Sequence, residues 1–370
     1  MIDFGQLAVP GIRGLRAYDP GHDLVALRRA HPAALVELGS NENSYGASPR
    51  AQQAAAVALE RLHVYPDPLG GDLKRALARH HGVGVENIVL GNGSHELLMQ
   101  FAQVFAGPDD AVVASQFGFA VYALAAQAAG ATLALAPAHP AEHAMPRGHD
   151  LDALLAAISS RTKLMYLANP NNPTGTWFGG EAFTAFLAAV PAQVLVVVDE
   201  AYAEYVDAAD YASALPLLAA HPNLIVTRTF SKAYGLAGAR VGYALAHPDC
   251  IAVMERVRES FNVNALALAA AEAALGDAVH LQAAVDGNRQ QREALAAALR
   301  AWGLAVAPSQ TNFLLVEFGL ETARVEAELI RRGIVVRPVA GYGLADCLRI
   351  TVGTAEENAR LLVALGTILA

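Results

Sequence analysis

The segment 229–235, T-F-S-K-A-Y-G, contains the lysine best placed for chemistry, Lys232. It follows the apolar run Leu224 to Thr227, a predicted strand, so Lys232 should lie at the carboxyl end of that strand. Its neighbours are small, hydroxylic or aromatic, and a lysine in such surroundings loses its proton readily and can form a Schiff base. Arg240 follows eight residues later. Together with the hydroxyl groups beside Lys232, it could bind a phosphate.

Two adjacent carboxylates end another apolar run, Val194 to Val198. An acid at this place could cap a helix, bind a metal, or hold the positive charge of a cofactor ring that serves as an electron sink. The local sequence does not separate Asp199 from Glu200, so either carboxylate could be the functional one.

Two turn-forming segments also follow predicted strands. Segment 169–175, N-P-N-N-P-T-G, has prolines and a glycine that fix a turn, and asparagine amides that could contact a ligand. Segment 91–96, G-N-G-S-H-E, lies between a strand and a helix, whose first N–H groups could bind an anion. Glu96 replaces the last glycine of the dinucleotide fingerprint, so that fold is not indicated.

The elements that must position these residues alternate between helices and strands from about residue 50. The strands are uniformly apolar, which predicts an α/β fold with a mostly parallel sheet covered by helices on both faces. The predicted strands are Ile88 to Leu90, Ala111 to Ala114, Ala131 to Ala136, Lys163 to Leu167, Val194 to Val198 and Leu224 to Thr227.

The pattern changes after about residue 245 and predicts a second, smaller α+β domain. Residues 265–301 are almost wholly helical, with breaks expected near Gly276 and Gly287, and shorter strands follow. We therefore expect an N-terminal segment 1–45 that packs with the small domain, a large cofactor-binding domain 46–250, and a small domain 251–370.

Composition excludes several classes of function. A net charge of −9 without a basic tract argues against nucleic-acid binding, and no apolar run is long enough to span a membrane. The N-terminus has no secretory pattern, and the two cysteines predict neither a disulfide framework nor a metal site, which fits a cytoplasmic enzyme. His139, His143 and His149 lack metal-ligand spacing, so we expect an exposed loop and no metal.

In combination, the N-N-P-T-G, D-E-A-Y and S-K-x-x-x-L-A-G-x-R-x-G segments resemble the fold-type I aminotransferases that depend on pyridoxal 5′-phosphate (PLP). The resemblance covers residues 35 to 365 approximately. Within that superfamily, segments 38–43, 65–67 and 347–353 resemble the histidinol-phosphate aminotransferases.

The resemblance implies a role for each residue that matches the family's cofactor motifs. Lys232 would join PLP covalently and carry a proton between the substrate and the cofactor, and Asp199 would pair with the pyridinium nitrogen. Phe117 would stack on the ring, although tyrosine is more frequent there, and the family often has aspartate at position 95. The remaining contacts would be Tyr202 and Asn172 with the phenolic oxygen, and Ser94, His95, Thr229, Ser231 and Arg240 with the phosphate.

The resemblance also implies the substrate contacts and a homodimer. Arg349 would bind the α-carboxylate of glutamate, and Arg337, Tyr18 and Asn43 would bind the distal anion. Tyr65 would reach the cofactor and substrate site of the partner subunit. The implied reaction is transamination between L-histidinol phosphate and 2-oxoglutarate in histidine biosynthesis. An aromatic or broad-specificity aminotransferase and a phospho-amino-acid decarboxylase remain alternatives, whereas a regulatory PLP-fold protein is disfavoured because no DNA-binding segment is evident.

Overall fold

The computed structural model describes residues 2–16, 21–31 and 35–370, so Tyr18 lies outside the described residues. Its strands form two sheets, with helices packed against them. The strands are β1 Val36–Leu38, β2 Ile88–Gly91, β3 Ala111–Ser115, β4 Thr132–Ala136, β5 Thr162–Ala168, β6 Leu195–Asp199, β7 Leu224–Thr229, β8 Gly242–Ala246, β9 Ala305–Val306, β10 Phe313–Glu317, β11 Ile334–Val339 and β12 Leu344–Thr351.

Many of the helices begin with a side-chain cap or a proline in the first turn, as α4 does with Ser48 and Pro49. The α-helices are α1 Phe4–Leu7, α2 Pro10–Arg13, α3 Leu24–Ala30, α4 Pro49–Leu59, α5 Gly71–His81, α6 Ser94–Phe105, α7 Ala120–Ala128, α8 Leu151–Ala156, α9 Gly180–Ala189, α10 Pro248–Met254, α11 Ala265–Leu275, α12 Ala278–Ala301, α13 Thr322–Arg331 and α14 Ala355–Leu369. Among the described residues, none of these helices is long and apolar enough to span a membrane.

The first sheet has the order β2-β8-β7-β6-β5-β3-β4 and is parallel except where β8 pairs with β7 and β2. Apart from the edge strand β4, its strands are buried almost throughout because helices cover both faces, as their apolar sequences predict. Ala168 pairs with Asp199, and Asp199 pairs with Thr227, so the carboxyl ends of β5, β6 and β7 meet at one edge. This edge positions the candidate site.

The second sheet has the order β1-β11-β12-β10-β9. Strand β1, from the N-terminal part of the chain, pairs in parallel with β11, whereas the other pairs are antiparallel. Helices α12, α13 and α14 contribute apolar side chains to the core on this sheet. The division at residue 250 stays a prediction, and α11 packs instead with α4 and α5 against the first sheet.

One expected helix break is wrong and one is correct. The chain does leave the helical conformation near Gly276, between α11 and α12. It stays helical at Gly287, where an added β-carbon would lie 2.6 Å from the Tyr45 ring. Gly287 therefore serves close packing rather than helix termination.

Candidate active site

A cavity of about 270 Å³ opens where the carboxyl ends of β5, β6 and β7 face β12 and the loop after β1. Most of the predicted cofactor residues line this one cavity, although they come from distant parts of the chain. The predicted residues that line it are Ser94, His95, Asn172, Asp199, Tyr202, Thr229, Ser231, Lys232, Arg240 and Arg349.

Lys232 follows β7, and its amine faces backbone carbonyl groups. The Nζ atom donates to the carbonyl oxygen of Asn41 at 3.2 Å and of Ser40 at 3.4 Å, and it lies 5.7 Å from the centre of the Tyr202 ring. Burial, with a smaller contribution from the positive charge of Arg349, lowers the pKa of Lys232 to about 8. The neutral amine, which is the nucleophilic and basic form, is thereby accessible near neutral pH.

Asp199 ends β6 inside the cavity. Its carboxylate accepts hydrogen bonds from Thr227 Oγ1 at 3.0 Å and from the Tyr122 hydroxyl at 3.2 Å. Burial raises the pKa of Asp199 to about 6, and these two hydrogen bonds oppose the rise. A buried carboxylate with this environment gains from a cationic partner, which a pyridinium nitrogen would supply.

Glu200 is turned away from the cavity, although its position in the sequence is adjacent. It forms an ion pair with Arg228 at 2.5 Å and accepts hydrogen bonds from Ser213 and the Ala214 N–H. Successive residues of a strand point to opposite faces, so only one of the two carboxylates can enter the cavity. The geometry therefore favours Asp199 as the cofactor partner and gives Glu200 a structural role.

An anion cradle lies at the start of α6. Ser94 and His95 are the first two residues of this helix, so their backbone N–H groups have no partner within the helix. Arg240 reaches the same place and donates from Nη1 to Ser231 Oγ at 3.3 Å, and Thr229 Oγ1 donates to Ser231 Oγ at 3.1 Å. Helix N–H groups, hydroxyl groups and a guanidinium are a donor set that fits a phosphate.

Two glycines make this cradle possible. A β-carbon on Gly93 would lie 2.2 Å from Arg240 Nη2, and one on Gly242 would lie 2.4 Å from the Ser94 nitrogen.

Burial, and then the charge of Arg240, lowers the pKa of His95, so its side chain favours the neutral form beside the cradle. The residues present thus fit the phosphate, the ring nitrogen and the aldehyde-bearing carbon of PLP.

A second group of contacts joins the cavity to β12 and to the loop after β1. Arg349 donates to Asn172 Oδ1 and to the Gly39 carbonyl oxygen, both at 2.7 Å. Asn41 Nδ2 donates to the Tyr202 hydroxyl at 3.0 Å. These bonds hold Arg349 and Tyr202 in place at opposite ends of one short stretch of backbone, where they can receive a carboxylate and a phenolic oxygen.

Phe119 lines the cavity, as Tyr202 does, whereas Phe117 does not line it. Phe117 packs instead against the cluster of Ala307, Leu315, Val339, Leu344 and Cys347. Phe119 caps α7, and Tyr122 follows it by three residues, which places both rings on the same side of that helix. We therefore move the proposed stacking role from Phe117 to Phe119.

The residues expected at the distal anion do not all line this cavity. Asn43 donates to the Ala233 carbonyl oxygen at 2.8 Å, which supports the loop that carries Lys232. Arg337 lines a neighbouring pocket that shares Phe119 with the cavity. Tyr65 is 80% exposed, stacks on Phe261, and is not among the residues that line the cavity.

Sequence reasoning missed Asn41, Glu42 and Tyr122. Asn41 and Glu42 belong to the S-N-E-N run, of which only Asn43 was given a role, and both line the cavity. Asn41 has a φ of 55° and is 1% exposed, so its conformation and burial were not readable from composition. Tyr122 would have followed from its helical spacing only if Phe119 had been chosen instead of Phe117, because positions i and i+3 lie together.

The histidine-rich loop is only partly exposed, contrary to expectation. The rings of His139 and His143 stack with centroids 3.8 Å apart. His149 is buried, and its Nε2 accepts a hydrogen bond from the Ala168 N–H at 3.2 Å. Burial lowers the pKa of His149 to about 4, so this ring stays neutral and supports the end of β5.

The model of the aminotransferase class I and II family matches residues 33–365. The chain belongs to this family. It is 48% identical over 371 residues to histidinol-phosphate aminotransferase 2 of Pseudomonas fluorescens, with 100% of this chain and 99% of that protein covered. It is 46% identical over 370 residues to histidinol-phosphate aminotransferase 1 of Nitrosococcus oceani, with 99% of this chain and 98% of that protein covered.

A solved structure agrees with these sequence relatives. The crystal structure of histidinol-phosphate aminotransferase from Sinorhizobium meliloti, in complex with pyridoxal-5′-phosphate, has a TM-score of 0.88 and 34% sequence identity and covers 98% of this chain and 97% of that one. The predicted α/β fold and the predicted enzyme class, a PLP-dependent aminotransferase, are confirmed.

Proposed function

We propose that this aminotransferase transfers the amino group of L-histidinol phosphate to 2-oxoglutarate, giving imidazole-acetol phosphate and glutamate. The proposed chemistry is supported by the finding that Lys232, Asp199 and the cradle with Arg240 line one cavity. The observation that favours this substrate is that full-length relatives at 46–48% identity bear the name histidinol-phosphate aminotransferase.

The chain's own residues account for binding and proton transfer. Bound PLP supplies an electron sink that stabilises negative charge at the substrate's α-carbon. Asp199 holds the ring nitrogen in its cationic form, and the cradle of Ser94, Ser231 and Arg240 fixes the phosphate end. With the amino donor bound, the neutral amine of Lys232 would remove the α-proton, and its pKa of about 8 suits a base that works near neutral pH.

The site must accept both a phosphate and carboxylates, because one half-reaction uses histidinol phosphate and the other uses glutamate and 2-oxoglutarate. We assign the α-carboxylate of glutamate to Arg349, whose guanidinium is already oriented by Asn172 and Gly39. A planar guanidinium can bind a carboxylate or a phosphate through two parallel hydrogen bonds. Arg337 is assigned to the distal anion, and Tyr18 and Asn43 keep their predicted supporting roles there.

We also propose a homodimer in which Tyr65 reaches the partner's site. Tyr65 lies in a stretch, 57–69, that exposes a run of large apolar side chains in one chain: Val57, Leu59, Leu62, Val64 and Leu69. A concentration of exposed apolar groups is typical of a protein–protein interface. The predicted location in the cytoplasm also stays a prediction.

The substrate is tested by a two-donor assay on PLP-loaded protein, with 2-oxoglutarate as acceptor. We expect kcat/KM for histidinol phosphate to exceed that for phenylalanine by at least about tenfold, or roughly 1.4 kcal/mol of transition-state discrimination. Lys232→Ala should be inactive with both donors. A preference for phenylalanine would favour the aromatic aminotransferase, and release of carbon dioxide from phosphothreonine would favour the decarboxylase.

The shared site is tested by mixing two defective proteins. Tyr65→Ala keeps Lys232, and Lys232→Ala keeps Tyr65, so a hybrid dimer contains one complete site only if Tyr65 acts across the interface. We expect activity after subunit exchange to rise above the sum of the two separate proteins. No rise, despite mass-spectrometric evidence of hybrid dimers, would place Tyr65 in the site of its own subunit or in none.

A further inference from the structure

The loop after β1 presents four consecutive backbone carbonyl groups, those of residues 39–42, to side chains from distant parts of the chain. We name residues 39–42 the carbonyl row. Its first carbonyl accepts from Arg349, the second and third accept from Lys232, and the third and fourth accept from Asn312. Carbonyl oxygens carry partial negative charge, so hydrogen bonds to two of them favour the cationic form of Lys232.

Asn312 connects the carbonyl row to the second sheet. It directly precedes β10, is 2% exposed, and its backbone carbonyl oxygen accepts from the Val352 N–H, just after β12, at 2.8 Å. Its Nδ2 atom donates to the carbonyl oxygens of Asn41 at 3.1 Å and Glu42 at 3.0 Å. Because both partners are acceptors, the group that faces them must be the NH2 of the amide.

The other half of the same amide has no partner among the described residues. Asn312 Oδ1 is buried without a hydrogen bond, whereas Nδ2 makes two. A buried acceptor without a donor costs stability, so an apolar side chain would be easier to bury at this position. The amide is therefore explained by the two bonds that it makes to the carbonyl row, and not by packing.

The carbonyl row needs support because Asn41 lies in the left-handed region, with a φ of 55°. This conformation is unfavourable for most residues with a β-carbon, so contacts around Asn41 must maintain it. Its side chain donates to Tyr202 and accepts from Thr351, and its carbonyl oxygen accepts from Asn312 and Lys232. Lys232 changes partners during the reaction, so Asn312 is the contact that can hold this carbonyl throughout.

We propose that Asn312 is a positioning residue for Lys232, because it fixes the carbonyl row where two oxygens receive the ammonium that forms when Lys232 takes the α-proton. The inference rests on the proposed role of Lys232 as the base, but not on the identity of the amino donor. Burial lowers the pKa of this lysine most, and the charged groups that also act on it are Arg349 and Arg240, which lower the pKa, and Glu42 and Asp199, which raise it. Substitution of Asn312 changes none of these charges.

The test measures the ionisation of Lys232 in the apoenzyme, where no cofactor is attached to it. Competitive labelling with acetic anhydride from about pH 6 to 11, followed by mass spectrometry of the peptides, gives the pH at which each lysine loses its proton. In Asn312→Ala we expect the midpoint of Lys232 to fall by about 0.5 to 1 below that of wild type, because the ammonium loses an oriented acceptor. Exposed Lys163 is the internal reference and should not change.

Asn288→Ala is the matched control. Asn288 is also buried, and its Nδ2 donates to the Thr311 carbonyl oxygen at 3.3 Å, which Arg292 also contacts at 3.4 Å. Both substitutions should lower the free energy of unfolding, but only Asn312→Ala should lower the midpoint of Lys232. Asn312→Ser, whose hydroxyl ends one bond short of the amide nitrogen, should give the same shift and replaces Asn312→Ala if that protein does not fold.

A second readout uses the PLP-loaded enzyme with its best amino donor. In Asn312→Ala, kcat should fall about threefold to tenfold while KM changes by less than about twofold, because the oriented carbonyls act on proton transfer and not on donor binding. A labelling midpoint that is unchanged or higher in a folded Asn312 variant would overturn the proposal. If the midpoint falls but Lys232→Ala keeps full activity, the contact between Lys232 and the carbonyl row stands and the proposed base is wrong.

Discussion

The hydroxyl of Tyr122 lies 3.2 Å from Oδ2 of Asp199, and both side chains are buried. This hydrogen bond favours the ionised carboxylate, because a donated proton stabilises the negative charge. It therefore opposes the effect of burial, which raises the pKa of Asp199 to about 6. A residue outside the familiar motifs thus helps to set the charge of the proposed pyridinium partner.

Tyr122→Phe should raise the pKa of Asp199 further and so shift the pH dependence of PLP binding upward. The aromatic ring would remain stacked on Tyr166, with centroids 4.9 Å apart, so packing should be retained. At pH 7 we expect the PLP dissociation constant to rise about threefold to tenfold. The PLP dissociation constant is measured by absorbance when PLP is added to the apoenzyme at several pH values from 5 to 8. Wild type is measured in parallel, because ionisation of the cofactor itself affects both proteins equally. A midpoint that is unchanged or lower would contradict the assigned role.

Lys232→Met should stabilise the apoenzyme at neutral pH. The folded-state pKa of Lys232 is lowered from 10.5 to about 8, so between these values the unfolded chain binds more protons than the folded one. Stability should then rise with pH across this window, and the full cost of burying the charged amine is present below pH 8. Replacing Lys232 by methionine should raise the free energy of unfolding of the apoenzyme by on the order of 1–3 kcal/mol at pH 7.

Denaturant unfolding of apo wild type and apo Lys232→Met at pH 7 and pH 10.5 measures this effect. The advantage of the variant should shrink at the higher pH, where the lysine is neutral in the folded state and half neutral in the unfolded state. An advantage that is constant with pH would mean that packing, rather than ionisation, causes it.

Gly93→Ala should abolish tight PLP binding. The new β-carbon would lie 2.2 Å from Arg240 Nη2 and would force this guanidinium out of the cradle. Gly82→Ala is the matched control, because Gly82 also has a positive φ but has nothing within 4 Å of an added β-carbon. Both substitutions should cost about 1–3 kcal/mol of stability through backbone strain. Only Gly93→Ala should raise the PLP dissociation constant, by about a hundredfold or more in equilibrium dialysis, because it also displaces a charged hydrogen-bond donor. Equal dissociation constants in the two variants would refute the cradle.

Substitutions at the adjacent carboxylates should have opposite signatures. Glu200→Gln weakens a buried ion pair with Arg228 and should lower the free energy of unfolding by about 3–5 kcal/mol. Asp199→Asn removes a carboxylate whose ionisation is disfavoured by burial, so apoenzyme stability should not fall, whereas kcat should fall about a hundredfold or more because the electron sink loses its partner. Chemical unfolding and steady-state kinetics on both variants decide the matter. Loss of kcat without loss of stability in Glu200→Gln would reverse the assignment.

The sequence predicted the parallel strands and the place of their carboxyl ends because those features depend on local composition. Uniformly apolar runs marked β3, β5 and β6 within one or two residues. Strand β8 was not identified, because Gly242–Ala246 directly follows the Arg240 motif and pairs antiparallel only once the sheet has assembled. The use of Gly287 for close packing against a distant residue, Tyr45, is likewise something that no local pattern reveals.

The same distinction, between features set by local sequence and features that depend on tertiary structure, applies to the candidate site. The Lys232, Asp199 and Asn172 motifs each end a strand, so their convergence followed from topology. Phe117 and Phe119 are two residues apart in a turn, where sequence spacing does not determine which ring enters the cavity. The start of α7 at Ala120 determines it, because Phe119 then caps the helix above Tyr122.

Gly39 and Asn41, in the loop after β1, accept hydrogen bonds through their carbonyl oxygens from Arg349 and Lys232, respectively. The strand before this loop belongs to the second sheet, and the helix after it, α4, packs against the first sheet. Both ends of the loop are therefore fixed by packing. The number of residues between them sets the positions of its carbonyl groups. Adding or deleting one residue between 39 and 43 would displace the contacts of both the anion-binding arginine and the reactive lysine, so these two backbone contacts should be more sensitive to the length of the loop than to its residue types.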